Sequence, residues 1–225
     1  AYALMTILHA TTEFNLDPDE VDDITGLPMG RPISATFRTL DVVGIDVFLA
    51  VINNSVKDVK SEHQRNVLTP PEYLYKMVDR GWTGQKSGQG FYKRIETKQG
   101  REILVLDLNT LEYRRRKSYK NENILVGNTF ENRIANLFTS DHFSNQFVWR
   151  VLSQMLMFSA EQVGQISNDL ISIDRAMRWG YAWELGPFET WDALGLKNSL
   201  RQMNLDSSGI PDWINNLSLD DKKFY

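Results

Sequence analysis

A glycine-rich segment with one central lysine, TGQKSGQGFYK, spans residues 83–93. Lysines in such segments bind phosphates when backbone N–H groups surround the anion and the loop joins a strand to a helix. Here the preceding residues predict a helix, and the aromatic residues Phe91 and Tyr92 follow. The segment is therefore interpreted as a glycine-shaped turn, with Lys86 either a solvent-facing lysine or a contact to a ligand.

Composition excludes several other kinds of chemistry. The 225 residues carry a net charge of −4, which disfavours binding of nucleic acid or an anionic membrane through bulk charge. The sequence has no cysteine, so thiolate and disulfide chemistry are excluded. No spacing of His, Asp and Glu predicts a metal site. No apolar run reaches the roughly 18–20 residues of a membrane span, and no secretory signal is recognised. We expect a soluble, cytoplasmic protein.

The elements that position the turn are predicted to be mostly helical. Apolar residues recur at helical spacing, and Pro, Asp and Gly mark helix ends, with Asp17 an N-cap before Pro18. Ser34 and Asp46 are further candidate caps, and Gly44 and Gly81 mark helix ends. The predicted helices cover residues 1–14, 16–25, 33–43, 47–56, 69–81 and 144–166.

The segment REILVLDLNTLEYRRRK, residues 101–117, has a different pattern. Apolar residues on both sides of the turn-like DLNT predict a β-hairpin. This hairpin would connect two helical halves. The first helix has no N-cap, so we expect the chain to be a piece of a longer protein.

The two halves contain the same features in the same order. GLPMGRPISATFRTLDVVGID in the first half corresponds to GYAWELGPFETWDALGLKN in the second. Both combine Gly-Pro chemistry, a short helix with an aromatic residue, and Asp-x-x-Gly, and each follows a long apolar helix that carries a Glu. The shared residues are Glu13, Asp41 and Gly44 in the first half and Glu161, Asp192 and Gly195 in the second. The pattern predicts a duplicated helical unit.

These segments together resemble the C-terminal domain of 3-hydroxyacyl-CoA dehydrogenases, present in two copies as in the fused fatty-acid β-oxidation proteins. The resemblance implies an all-α fold of two tandem helical domains, similar to the C-terminal domain of 6-phosphogluconate dehydrogenase, with the small β-hairpin connector. It divides the chain into a first copy at 1–99, a connector at 100–127 and a second copy at 128–225.

The same resemblance implies an NAD-dependent oxidoreductase acting on acyl-CoA. The family's catalytic His and Glu lie on an N-terminal Rossmann domain, and none of the three histidines here has a matching context. We therefore assign no catalytic residue and expect this segment alone to be inactive. A fused enoyl-CoA hydratase domain and a homodimer are further implied partners. The competing interpretation is a non-catalytic helical scaffold or dimerisation module.

The resemblance also assigns binding residues. Lys86 matches a lysine that reaches the cofactor, and Pro28, Met29, Gly30 and Arg31 match a loop that faces the acyl chain. Arg31 either meets a CoA phosphate or pairs with a nearby carboxylate, Asp22 or Asp23, and the local ion pair is favoured.

Two further segments carry side chains of interest. The cationic run at 113–117 either attracts the CoA phosphates or is a solvated connector, which is favoured. Asn145 matches a family asparagine at a helix start, but it lies in the second copy. A structural role is therefore favoured for Asn145.

Overall fold

The computed structural model describes residues 1–59, 61–98, 100–117, 127–205, 210–215 and 223–225. These residues form two compact units. The first unit comprises residues 1–26 and 33–120, and the second comprises residues 27–32 and 121–225. The domain boundaries predicted from the internal repeat stay a prediction.

The first unit contains six helices and a small sheet within its described residues. The elements are α1 Tyr2–Glu13, α2 Pro18–Thr25, α3 Phe37–Val43, α4 Ile45–Ser55, α5 Glu62–Val67, α6 Glu72–Asp79, β1 Tyr92–Thr97, β2 Gly100–Leu106 and β3 Tyr113–Arg115. The strands are antiparallel in the order β1-β2-β3, with Tyr92 paired to Val105 and Leu106 paired to Tyr113. The predicted hairpin is thus present as β2 and β3, and β1 adds a third strand that the sequence analysis did not predict.

The described residues of the second unit form helices joined by loops, with no strand longer than an isolated bridge. Its helices are α7 Phe130–Ala135, α8 Phe143–Glu161, α9 Leu170–Tyr181, α10 Pro187–Leu194, α11 Leu196–Leu205 and α12 Asp212–Asn215. Helix α8 is the long amphipathic helix predicted from the sequence. It buries both of its predicted apolar stripes, formed by Phe147, Val151 and Met155 and by Val148, Leu152 and Leu156. Together with the small sheet, these helices confirm the predicted mostly helical fold.

Two predicted helix caps differ in the structure. Helix α3 begins at Phe37 with Thr36 at its N-cap, rather than near Ser34. Gly44, whose φ is +97°, is the single residue between α3 and α4. Because that glycine turns the chain in one step, α4 begins at Ile45, and Asp46 lies inside its first turn instead of capping it.

Each unit fixes the start of one helix with a buried aspartate. In the first unit Asp22 accepts hydrogen bonds from the backbone N–H groups of Thr36 and Phe37, at 3.0 and 2.7 Å. In the second, Asp174 accepts from Phe188 N–H at 2.8 Å. The first N–H groups of a helix have no partner within the helix, so these carboxylates supply one from a distant part of the chain.

The core of each unit lies around these helix starts. Its large, fully buried side chains include Phe37, Ile24, Leu40 and Phe91 in the first unit and Phe147, Phe188 and Trp191 in the second. Each such side chain contributes about 1.5–3 kcal/mol of transfer free energy.

Among the described residues, no single helix has the length and apolarity to cross a membrane. The pair Phe37–Val43 and Ile45–Asp58, bent by 91°, passes that test by length and composition.

Candidate functional site

The glycine-rich segment forms a tight turn between α6 and β1. Gln85–Ser87 make one turn of 3-10 helix, followed by Gly88 in the left-handed region with a φ of +81°. The Ser87 hydroxyl accepts a hydrogen bond from Thr83 N–H at 3.0 Å and lies within bonding distance of two carbonyl oxygens. A helix precedes this turn and a strand follows it, which is the reverse of a phosphate-binding loop.

Asp41 on α3 anchors the end of this turn. Its two carboxylate oxygens accept hydrogen bonds from the N–H groups of Phe91 and Tyr92, both at 2.8 Å. A side chain at Gly90 would collide with the Asp41 carboxylate, so the residue before Phe91 has to be glycine for this contact to form. Burial raises the pKa of Asp41 to about 7, against the opposing effect of the two N–H donors.

Lys86 projects from the turn toward the first turn of α4. Its ammonium lies 2.6 Å from Asp46 Oδ1 and donates to Asp46 Oδ2 at 2.7 Å. The hydrogen bond from Lys86 is the largest influence on Asp46, and it lowers the pKa of that carboxyl group. Half of the Lys86 side chain, 51%, is exposed. Lys86 is thus neither buried nor a free solvent-facing lysine, since it is held by an ion pair while remaining accessible.

The loop predicted to face the acyl chain belongs to the second unit. The Pro28 carbonyl accepts a hydrogen bond from Arg133 Nε at 3.0 Å. Gly30 has a φ of +62°, and an added Cβ would collide with the ring of Phe130. Met29 is only 2% exposed, and it therefore presents little side-chain surface to a ligand.

Arg31 is held by groups other than the predicted carboxylates. Its guanidinium carbon lies 4.2 Å from the centre of the Trp183 ring, and Nη2 lies 3.3 Å from the Met155 sulfur. Asp22 accepts the backbone donors described above, and Asp23 pairs with Arg116. The favoured local ion pair for Arg31 was therefore wrong, because a ring face and a sulfur atom hold the guanidinium. Burial lowers the pKa of Arg31 to about 10, so it stays charged at neutral pH.

The cationic run at 113–117 is only partly solvated, because its side chains also pair with carboxylates. Arg114 lies 2.6 Å from both Asp17 and Asp19. The Asp19 side chain is fully buried. Arg115, Arg116 and Lys117 also pair with carboxylates, at 2.9, 2.9 and 3.5 Å. The run therefore ties β3 to the acidic start of α2, and its positive charge is largely neutralised within the first unit.

Two of the histidines have structural contacts. His9 Nε2 lies 2.9 Å from the Val67 carbonyl oxygen, and His142 caps α8 by accepting from Ser144 N–H. Neither contact is the carboxylate pairing that would orient a general base. Asn145 donates to the Leu137 carbonyl at 2.9 Å, one turn into α8, which agrees with a structural role.

The predicted binding residues thus fall into two groups. Lys86 lies in the first unit, whereas Pro28, Met29, Gly30 and Arg31 lie in one loop of the second. The sequence analysis considered Asp22 only as a partner of Arg31, assigned no role to Asp174, and used Asp41 and Asp192 only as repeat markers. The signal that could have found their contacts is the repeated order of an aspartate, an aromatic residue, Asp-x-x-Gly and a Phe-Tyr pair.

Comparisons with known proteins find one matching family and several relatives. Residues 2–94 match the family described as "3-hydroxyacyl-CoA dehydrogenase, C-terminal domain". A probable 3-hydroxyacyl-CoA dehydrogenase of Bacillus subtilis is 41% identical over 216 residues, which are 95% of this chain and 27% of that protein. A putative fatty acid oxidation complex trifunctional enzyme of Rickettsia prowazekii is 25% identical over 93% of this chain and 28% of that protein. The chain therefore spans little more than a quarter of the length of these relatives.

Proposed function

Because residues 2–94 belong to the family of C-terminal domains of 3-hydroxyacyl-CoA dehydrogenases, we propose that the chain is the C-terminal part of such an enzyme. The reaction is NAD-dependent oxidation of a 3-hydroxyacyl-CoA to the 3-oxoacyl-CoA in fatty-acid β-oxidation. The observation that carries the proposal is the 41% identity to the Bacillus subtilis relative over nearly the whole chain. In this proposal the chain completes the substrate cleft, and the catalytic pair and the Rossmann domain lie elsewhere in the cytoplasmic parent protein.

Lys86 is the residue proposed to contact the cofactor. NAD supplies the hydride acceptor when bound, and its diphosphate and ribose groups are acceptors for an ammonium donor. Lys86 fits this role because its side chain is half exposed and its ammonium is held at a fixed place by Asp46. An ammonium has three donors, so the two contacts to Asp46 leave one for a ligand.

The loop at Pro28–Arg31 is proposed to border the acyl-CoA site. Leu27, at its start, is 58% exposed and is an apolar surface next to Pro28. Gly30 and Met29 fix the loop through buried contacts, and Arg31 supplies a permanent positive charge near that surface. Such a surface suits a ligand that joins an apolar chain to phosphates.

The two units are proposed to be copies of one ancestral domain. The paired aspartate contacts at the starts of α3 and α10 support this, as does the positive φ of both Gly44 and Gly195. The second copy is then proposed to serve domain or subunit packing, including a homodimer. The trifunctional name of the Rickettsia prowazekii relative supports a parent protein that also carries an enoyl-CoA hydratase domain.

The cofactor role is tested by Lys86→Ala in the full-length parent protein. A charge-assisted hydrogen bond contributes about 1.5–3 kcal/mol, so the dissociation constant for NAD should rise roughly 10- to 150-fold, with acyl-CoA binding less affected. Lys76→Ala is the matched control, because Lys76 is equally exposed at 51% and also pairs with a carboxylate. Equal NAD affinity in the two variants would contradict the role of Lys86.

An activity assay of residues 1–225 alone tests whether this chain can catalyse the reaction without the rest of the parent protein. We expect the purified chain to produce no NADH from 3-hydroxybutyryl-CoA, because His9 and His142 are engaged in backbone contacts. NADH production above that of a mock purification would overturn this expectation. If the full-length protein binds neither NAD nor acyl-CoA, the scaffold interpretation would replace the dehydrogenase.

A further inference from the structure

A groove of about 650 Å³ lies within the first unit, between α3 and the sheet. This volume is within the roughly 300–1,000 Å³ of typical small-molecule sites. Its lining residues come from α3, from the turn after α6, and from the first two strands: Ser34, Arg38, Asp41, Val42, Gln85, Gly88, Tyr92, Arg94 and Ile103. Arg38 and Val42 lie one helical turn apart on α3, so they share a face of that helix.

The groove contains two guanidinium groups: Arg38 makes one long ion pair with Asp22, and Arg94 has no ion pair within the part of the chain that the structure describes. Arg38 Nε lies 4.0 Å from Asp22 Oδ2, beyond hydrogen-bond distance. That oxygen already accepts from the Arg38 backbone N–H and from the Tyr92 hydroxyl, at 3.2 and 2.7 Å. The Arg38 guanidinium instead lies over the Tyr92 ring, 5.4 Å from its centre. Its planar set of donors is therefore available to a ligand.

Arg94 differs from the other arginines of the sheet. Arg101, Arg114 and Arg115 each pair with a carboxylate, at 3.9, 2.6 and 2.9 Å. Arg94, which lines the groove, has no such partner within the part of the chain that the structure describes. In a chain with a net charge of −4, a guanidinium left unpaired beside a second one marks a local preference for an anion.

The anion that faces this groove is Asp41. Both of its oxygens accept backbone N–H bonds from Phe91 and Tyr92, so its lone pairs are directed into the protein. Asp41 as a whole residue is only 7% exposed. Its carboxylate therefore offers little repulsion to a ligand at the groove mouth.

Apolar surface adjoins the two arginines. Val42 is 68% exposed on α3, and Ile103 is 43% exposed on β2. Ile103 is the direct cross-strand partner of Arg94. A large apolar side chain is therefore exposed beside each cation, and its burial by a ligand would add favourable transfer free energy.

We propose that this groove binds an anionic headgroup carried on an apolar chain. The headgroup accepts hydrogen bonds from Arg38 and Arg94, and the chain covers Val42 and Ile103. A fatty carboxylate has this chemistry. The site is distinct from Lys86 and from the Pro28–Arg31 loop, and it does not depend on the proposed dehydrogenase activity.

Calorimetric titration of residues 1–225 tests the proposal directly. The probes are decanoate below its micelle-forming concentration and decanol as a neutral match for decanoate. Arg94→Gln removes the charge of an exposed groove residue, and Arg101→Gln is the control on the adjacent strand, where the side chain is 83% exposed. Val42→Ser removes apolar surface without changing charge. Amide shifts of Gln85 and Gly88 in NMR spectra locate the bound probe.

We expect Arg94→Gln to weaken binding of the charged probe about tenfold and Val42→Ser about threefold, with Arg101→Gln within twofold of the unaltered chain. Binding of decanoate that is weakened in this order supports a fatty carboxylate site. The proposal is overturned if decanoate does not bind, if decanol binds as tightly as decanoate, or if Arg94→Gln and Arg101→Gln have equal affinity.

Discussion

In the first unit Asp41 holds the pair Phe91-Tyr92, and in the second Asp192 holds Phe224-Tyr225 in the same way. Asp192 accepts from the N–H groups of Phe224 and Tyr225, at 2.8 and 3.1 Å. The rings agree as well. Phe37 meets Phe91 edge-on at 4.6 Å, and Phe188 meets Phe224 edge-on at 5.2 Å. Each unit thus closes around two aspartates and two phenylalanines.

The two aspartate contacts differ in the sequence that precedes each Phe-Tyr pair. The hydrogen bond of Asp41 spans 50 residues, whereas that of Asp192 spans 32. Lys86 stands five residues before Phe91, and the sequence has Leu219 five residues before Phe224. The closing contacts can therefore be kept while the lysine changes. This difference separates a structural role for the aspartates from a ligand role for Lys86.

The comparison is tested most strongly by Asp22→Ala and Asp174→Ala. Each change leaves buried backbone N–H groups at a helix start without an acceptor, so each variant should lose about 3 kcal/mol or more of unfolding free energy. Urea denaturation of residues 1–225 measures the loss. Asp23→Ala is the control, because its single ion pair is partly exposed, and it should lose less than about 1 kcal/mol. A small effect for either buried aspartate would break the comparison.

Unfolding free energies of Asp41→Asn and Asp192→Asn, measured over a series of pH values, sharpen the comparison of the two units. Burial raises the pKa of Asp41 to about 7, so between pH 4 and 7 the folded state binds a proton that the unfolded state has released. The protonated Asp41 side chain therefore favours folding below about pH 4, and this stabilisation is lost as the pH rises through 7. Asp41→Asn removes it, and the variant should gain on the order of 3 kcal/mol relative to the unaltered chain from pH 4 to pH 7.

The same series in the second unit should show a weaker change of the same sign. Burial also raises the pKa of Asp192, which is half-buried. Unfolding free energies at several pH values measure both differences. A relative gain that is the same at every pH would contradict a raised pKa for either aspartate.

The smallest expected effect comes from the tyrosines. Tyr92 donates its hydroxyl to Asp22 at 2.7 Å, and Tyr225 donates to Asp174 at 2.8 Å. Tyr92→Phe and Tyr225→Phe should each cost about 1 kcal/mol, because each removes one hydrogen bond to a carboxylate and keeps the ring. Thermal unfolding of the two variants measures this. A loss confined to one of them would show that the units close differently.

The helices could be predicted because their signals are local. Pro18 opens α2 and Gly44 ends α3, and both act on their own part of the backbone. Strand β1 was missed because its apolar residues are few and its pairing depends on β2. The aspartate contacts were missed because they join residues far apart in sequence, such as Asp22 and Tyr92.

The site was predictable only in part. Lys86 was identified from its glycine-rich surroundings, but its partner Asp46 lies 40 residues away and was interpreted only as a helix cap. The stacking of Arg31 on Trp183 likewise depends on a tertiary contact. Local sequence patterns identify unusual residues, whereas the partners of those residues are determined by the packing of elements that are distant in sequence.

The loop at residues 27–32 has a consequence for synthesis of the chain. It is translated between α2 and α3, yet its carbonyl at Leu27 accepts from Arg133, which is 106 residues later. At a translation rate of roughly 5–20 residues per second, the loop waits about 5–20 s on the ribosome before that donor is made. During this interval Arg31 lacks Met155 and Trp183, so this early segment of the second unit completes its contacts only after the rest of that unit is translated.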